Sequence, residues 1–298
     1  MRNPVTPIAL AGVLAALLLS GVTSALASSA HRAGGGSYFT RHAPLAKAAI
    51  IGGAPAQAGM FASVAEILDI RGREVGQCTG TVVAANLVLT AGHCAENVKT
   101  GIANGSTGYR ILTGGVEENG ERQISTVSGV LPYEGYARKV DDSDAALLVL
   151  STATTAPAVR LATASHRVKL HGGTRATMVG WGETHYGQSG PTRVLNWAGT
   201  VVQGNRWCKR NAPPFYGRSE ICTIDPPSYA TGACSGDSGG PLLARDASGE
   251  TVEIGIAVHV YTECSTRLPT VFTRVAPLAA WVQTWIDAYK VAPAPPQS

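Results

Sequence analysis

The first 49 residues contain no aspartate or glutamate. Their four basic residues, Arg2, Arg32, Arg41 and Lys47, account for the whole formal charge of +4. Past them acids and bases balance, so the body of the chain has no electrostatic reason to bind nucleic acid or an anionic membrane surface. Beyond its N-terminus the chain also lacks any apolar run long enough to cross a bilayer. It has no internal repeat and no convincing helical periodicity until near residue 277. His166, His171 and His185 stand in loop-like segments without metal-ligand spacing, which points to surface roles. With 45% apolar and 15% charged residues over 298 positions, the chain is globular, with room for one large domain or two smaller ones.

What is present begins at the N-terminus. Arg2 precedes an apolar run from Ile8 to Leu19, then Ser20-Gly21 and Ala25-Leu26-Ala27. A charged start, a short apolar core and a small-x-small site describe a secretory signal peptide at 1–27; about twelve apolar residues are too few for a membrane span. Export to an extracellular or periplasmic compartment permits disulfides, and six cysteines fit that. Residues 28–49 read as a spacer, broken by Gly34-Gly35-Gly36-Ser37 and Pro44.

Strand texture starts at Ile50-Ile51-Gly52-Gly53. Short segments rich in β-branched residues follow at 64–70, 79–83, 87–90, 110–112 and 124–130, with a continuous apolar run at 145–150. Residues 151–166 connect to a second set at 177–179, 195–202, 220–223, 242–244, 253–260 and 270–275. Many short strands predict an all-β fold in barrels or sandwiches. From Pro277 the spacing of Leu278, Trp281, Trp285 and Tyr289 predicts a helix over 277–290 that packs its tryptophans on the strands. The Pro-rich segment 291–298 reads as a disordered tail.

Two motifs carry chemistry. In Gly232-Ala233-Cys234-Ser235-Gly236-Asp237-Ser238-Gly239-Gly240-Pro241 a serine sits among glycines, where the backbone takes conformations other residues resist. Such a loop presents a hydroxyl outward while neighbouring N–H groups converge, the two needs of acyl transfer. The six residues from Gly236 would recur by chance in a chain this long at about 10⁻⁵. Upstream, Leu89-Thr90-Ala91-Gly92-His93-Cys94 places a histidine beside a cysteine at a strand's end.

Together these motifs resemble the trypsin/chymotrypsin family of serine proteases, and the resemblance covers residues 50 to about 288. Gly180-Trp181-Gly182 and the Pro269 segment before Val271-Phe272-Thr273-Arg274-Val275 add to it, and the order His, Asp, Ser agrees. It implies two six-stranded antiparallel β-barrels, about 50–155 and 165–275, with a C-terminal helix. It implies His93 as general base, Ser238 as nucleophile, and Asp144 in Asp144-Ala145-Ala146-Leu147-Leu148 as the orienting acid; Asp141 and Asp142 compete for that place. Gly236 and Ser238 would supply oxyanion N–H groups, and the disulfides would be Cys78–Cys94, Cys208–Cys222 and Cys234–Cys264. Cleavage between Ala49 and Ile50 would release an ammonium group that pairs with Asp237. Ala48-Ala49 before the cut would suit self-activation or cleavage by a related protease.

The specificity pocket would have Gly232 at its floor and Val260 and Thr270 as walls, a pattern similar to pancreatic elastase that implies cleavage after small uncharged residues. Val258-His259-Val260 replaces the family's Ser-Trp-Gly on one placement of the following gap, removing a serine that bonds the aspartate. The other placement brings His259 near Asp144. His259 could also receive an acidic substrate side chain, as in secreted glutamyl endopeptidases. Glu117, Glu118 and Glu121 lie where some relatives bind calcium, and Asn104-Gly105-Ser106 is a glycosylation sequon. The partners implied are protein or peptide substrates and proteinaceous inhibitors; a cofactor, a metal, nucleic acid and stable membrane association are not implied, and a monomer is expected. The competing class is a catalytically inactive homologue that uses the fold to bind a partner.

Overall fold

The apolar run before residue 151 shows how the fold is built. In a computed structural model, which describes residues 50–290 apart from 72–73, 97–107, 118–120, 137–142, 164–169 and 189–191, β8 (Ala146–Leu150) is buried at all five positions. Its side chains alternate between two cores. Ala146, Leu148 and Leu150 join Ala65, Ile67, Val82 and Ile111 inside the first sheet. Leu147 and Val149 join Val275, Leu278 and Val282 between that sheet and the C-terminal helix. A strand covered on both faces needs no polar alternation, which is why it reads as an unbroken apolar run. The expected signal peptide, the spacer with Ala49 and the tail lie outside the described residues, as do Asn104, Glu118, Asp141, Asp142 and His166.

The first sheet comprises β2 (Val64–Arg71), β3 (Glu74–Ala84), β4 (Leu87–Thr90), β5 (Tyr109–Thr113), β6 (Gln123–Ser125), β7 (Val127–Pro132) and β8. Their order is β6-β5-β2-β3-β4-β8-β7. Only Thr126 separates the two edge strands along the chain, so one bent segment serves both edges and the sheet curls into a half-barrel. The second sheet holds β1 (Ala54–Pro55), β9 (Arg175–Gly180), β10 (Asn196–Val202), β11 (Glu220–Ile224), β12 (Pro241–Arg245), β13 (Thr251–His259) and β14 (Thr270–Arg274). Its order is β1-β10-β11-β14-β13-β12-β9, and a further β9–β10 pairing closes β9 to β14 into a six-stranded barrel. Ala54 and Pro55 pair with β10, so the start of the described chain belongs to the second sheet.

Three α-helical segments among the described residues complete the architecture: a turn over 92–96 (α1), α2 (Asn205–Asn211) and α3 (Ala279–Lys290). On α3, Leu278 just before it and Val282 are fully buried, while Trp281 and Trp285 are half-buried against the same core. Trp281 meets Tyr133 edge-on at 5.3 Å. The three disulfides are Cys78–Cys94, Cys208–Cys222 and Cys234–Cys264.

One core residue is out of keeping with its surroundings. Glu253 on β13 is fully buried, and neither carboxylate oxygen has a hydrogen-bond partner among the described residues. Burial pushes its pKa up to about 8, while the nearby Thr81 hydroxyl pulls the other way without making a normal bond. The folded state therefore binds this proton more tightly than the unfolded chain does. Its burden is absent below the unfolded pKa of 4.5, grows as pH rises, and is complete above about 8. Glu253→Gln should match the parent in thermal unfolding at pH 4. At pH 8.5 it should melt roughly 5–10 °C higher, the equivalent of about 2–4 kcal/mol. A Tm difference that does not change with pH would contradict this.

Candidate active site

Strand pairing brings the histidine and the aspartate together. β4 and β8 run antiparallel with Thr90 opposite Ala146. The segment leaving β4 and the one entering β8 are therefore neighbours at the same end of the sheet. His93, on the α1 turn, donates its backbone N–H to Asp144 Oδ1 at 2.9 Å, and its Nδ1 meets Asp144 Oδ2 at 2.7 Å. Asp144 is 1% exposed and His93 34%. A carboxylate only accepts, so this bond places the ring proton on Nδ1 and leaves Nε2 as a proton acceptor. Residue 92 is glycine because a Cβ there would lie 2.8 Å from Asp144 Oδ1 and 3.1 Å from the Tyr136 ring. From the second barrel, Thr273 Oγ1 donates to the Asp144 carbonyl at 3.0 Å.

The serine loop follows from a count of its backbone bonds. Gly236 and Gly239 have φ of +93° and +83°, the left-handed region that suits glycine. The Asp237 N–H donates to Cys234 O, Gly239 N–H to Ala257 O, and Gly240 N–H to Asp237 O. The N–H groups of Gly236 and Ser238 have no acceptor among the described residues. Almost every backbone donor shielded from water finds a partner, so two unbonded N–H groups flanking one peptide form a ready anion site. Ser238 is half-buried, and its hydroxyl makes no hydrogen bond to His93 or to any other described residue. Cys94 Sγ, next in the chain to His93, lies 3.6 Å from the Ser238 carbonyl oxygen.

Asp237 is held in a glycine cradle. Its carboxylate is buried and accepts from Gly182 N–H at 2.9 Å and Cys234 N–H at 2.8 Å. A Cβ on Gly182 would sit 2.4 Å from its Cγ, and one on Gly180 within 2.2 Å of its Oδ1. That is why glycines flank Trp181. Burial pushes the Asp237 pKa up to about 7, against the pull of the two N–H bonds and with a small push from Glu183. No ion pair reaches Asp237 among the described residues. Ile50 is 1% exposed in the second barrel's core. The next residue bridges Gly232, whose N–H donates to Ile51 O at 3.2 Å.

Around the expected pocket, Gly232 and Thr270 are buried, and Thr270 Oγ1 accepts the Ala233 N–H at 3.3 Å. Val260 is half-buried against the same core. The Cys234–Cys264 bridge ties the serine loop to the segment between those walls. His259 is exposed and meets Tyr261 edge-on at 4.7 Å. Among the described residues, the Asp144 carboxylate bonds to His93 alone, and Val258 packs into apolar contacts. Glu117 bridges Val194, and Glu121 is exposed. Among the described residues, the His171 and His185 side chains bond to the Gly172 carbonyl and the Thr184 hydroxyl at the surface. The only His, Cys, Asp and Glu group among the described residues close enough to share an ion is Cys78, His93 and Cys94, and its two sulfurs already form a disulfide. Thr79, unmarked by either motif, bonds directly to the serine loop.

A histidine bonded to a buried aspartate, beside a serine loop with two unbonded N–H groups, on a six-stranded barrel joined to a curled one, defines a chymotrypsin-like serine hydrolase. Residues 50–282 match the Trypsin family model. The chain belongs to that family and is a serine endopeptidase. It is 29% identical over 286 residues to serine protease SP24D of Anopheles gambiae, covering 95% of this chain and 97% of that one. With a trypsin-like protease of Streptomyces glaucescens it shares 29% over 246 residues, 78% and 81% of the two chains. The solved "Structure of GrC" aligns with TM-score 0.67 at 24% identity, covering 80% of this chain and all of its own, which speaks for the fold.

The cradle makes a testable demand. Gly182→Ala forces a methyl group into the Asp237 carboxylate and should lower both folding stability, by about 1–3 kcal/mol or more, and peptide hydrolysis. Gly199→Ala, where a Cβ meets nothing within 4 Å, should leave both unchanged. Thermal melts and peptidase assays on the two variants check this, and equal behaviour would refute it.

Proposed function

We propose that the chain is a secreted zymogen whose mature form begins at Ile50 and cleaves peptide bonds after small uncharged residues through His93, Asp144 and Ser238. The observation that carries the catalytic part is the His93–Asp144 pair bonded at 2.7 Å beside a loop whose Gly236 and Ser238 N–H groups are unbonded. In this reading His93 Nε2 takes the Ser238 proton as Oγ attacks the substrate carbonyl. The Oγ–Nε2 bond closes with substrate in place, as catalytic bonds often tighten in the Michaelis complex. Asp144 stabilises the imidazolium, and the Gly236 and Ser238 N–H groups receive the oxyanion. The imidazolium then protonates the departing amine, leaving an acyl-serine that water hydrolyses by the reverse relay.

Activation follows from Asp237. In the uncut chain its buried carboxyl has no cationic partner among the described residues, which is costly. Cleavage after Ala49 frees an ammonium group on a residue beside the Gly232 segment, and pairing with Asp237 would hold the serine loop in its working shape. Secretion is supported by the apolar run after Arg2, and no helix among the described residues is long and apolar enough to cross a membrane. Preference for small residues is supported by the family pattern, in which bulky Val260 and Thr270 stand at the pocket walls where wide pockets have glycines. The exposed His259, beside Val260, makes a preference for glutamate the second reading. Protein inhibitors would bind as substrate mimics, and the enzyme is expected to act as a monomer.

Fluorophosphonate should label the processed chain and fail to label Ser238→Ala; an unlabelled parent would favour the inactive-homologue reading. Asp144→Asn should lower kcat by about 10⁴-fold. Matched peptides ending in Ala, Glu, Phe or Arg before the scissile bond should rank Ala first. Fastest turnover of Glu would support the second reading, and turnover of Arg alone would overturn the pocket assignment. Terminal sequencing of the active form should begin at Ile50.

A further inference from the structure

Thr79 lies on β3 of the first sheet and is completely buried, yet all its polar groups are used, and most of them reach the second barrel. Its N–H donates to the Ser238 carbonyl at 2.8 Å. Its hydroxyl donates to the Gly236 carbonyl at 2.8 Å and accepts the Trp181 N–H at 3.1 Å. Its own carbonyl accepts the Thr90 hydroxyl at 2.8 Å. Because the hydroxyl oxygen already receives Trp181, its single proton is directed to Gly236.

We propose that Thr79 is a positioning residue for the peptidase reaction: its hydroxyl locks the Gly236 carbonyl and so aims the two N–H groups that receive the oxyanion. The inference rests on the oxyanion role proposed above. The peptide between Gly236 and Asp237 lies between the two peptides that carry the unbonded N–H groups. Peptides are planar, so a rotation of this middle unit passes to both neighbours. Gly236, at φ +93°, has no Cβ to resist such a rotation. The N–H of the same peptide bonds only within the loop, from Asp237 to Cys234 O at 3.1 Å; Thr79 supplies the anchor from outside the loop, on the opposite sheet.

A second contact brackets the same glycine. Gln77, also on β3, donates from Nε2 to Glu66 Oε1 at 2.6 Å. A Cβ on Gly236 would fall 2.8 Å from Gln77 Oε1. Glu66 is in turn paired with buried Arg122 at 2.5 Å, and the Arg122 guanidinium lies 4.9 Å from the Trp181 ring centre. The first sheet thus reaches Gly236 through Thr79 and Gln77, and Trp181 through Thr79 and Arg122.

The test compares processed Thr79→Val, which keeps the shape and removes the donor, with Thr79→Ser, which keeps the donor. Thr79→Val should lose about 10–100-fold in kcat, less than or comparable to removing an oxyanion donor itself. Its KM for a small peptide should stay within about threefold, and its pH–rate profile should keep the parental midpoint. Its affinity for a peptide aldehyde should fall in parallel with kcat. Thr79→Ser should recover most of the parental kcat. If Thr79→Val does not fold, Thr79→Ala against Thr79→Ser makes the same comparison. Equal kcat in variants with and without the hydroxyl overturns the inference, as does a loss confined to KM. A parent that neither hydrolyses peptides nor reacts with fluorophosphonate instead refutes the proposed function itself.

Discussion

The pairing of β4 with β8 is the constraint on which the rest depends. Thr90 opposite Ala146 puts the residues just beyond these two strand ends within bonding distance, although 51 positions separate them in sequence. Both strands are anchored by apolar side chains on both faces. A one-residue slip would exchange the two cores as well as separate His93 from Asp144. The register that satisfies packing therefore also orients the imidazole, and hydrophobic burial sets the geometry of a polar site.

The second barrel meets this pair with a loop that has little intrinsic preference of its own. Glycines at 236, 239 and 240 allow it to approach other backbone closely, and they also leave it free to rearrange. Its shape is imposed from outside: Asp237 by the Gly180–Gly182 cradle, Gly239 and Gly240 by Ala257, Gly236 and Ser238 by Thr79. Each barrel contributes chemistry and restraint to the other. Thr273 steadies Asp144 from the second barrel, and Thr79 steadies the serine loop from the first.

Much of this was legible in the residues. The run at 145–150 announced a strand buried on both faces, and the glycines around Ser238 announced backbone in unusual conformations. The three disulfides were implied by the family resemblance and are the ones formed. Other features left no local trace. The break at Thr126, which lets one segment serve both edges of the first sheet, falls within a run of strand-forming residues. Helix α2 is only seven residues long and starts after Gly204 without a side-chain cap, so neither periodicity nor a capping motif marks it. His259 stood between two placements by sequence alone; its exposure beside Tyr261 reflects the way β13 ends. Thr79 reaches a partner 157 residues away, and no sequence window contains that relation.

The disulfides carry one more consequence. They close spans of 16, 14 and 30 residues, and each stays within one sheet and the loops attached to it. Covalently the two sheets are joined only by main chain: by 56–63, which leads from β1 on the second sheet to β2 on the first, and by the connection through 151–174. A nick in that connection would convert the enzyme into two separately stapled fragments. Such a clipped molecule would keep its shape through β1 paired with β10, the Thr79 bonds to the serine loop, and the apolar seam along β8, β13 and the C-terminal helix.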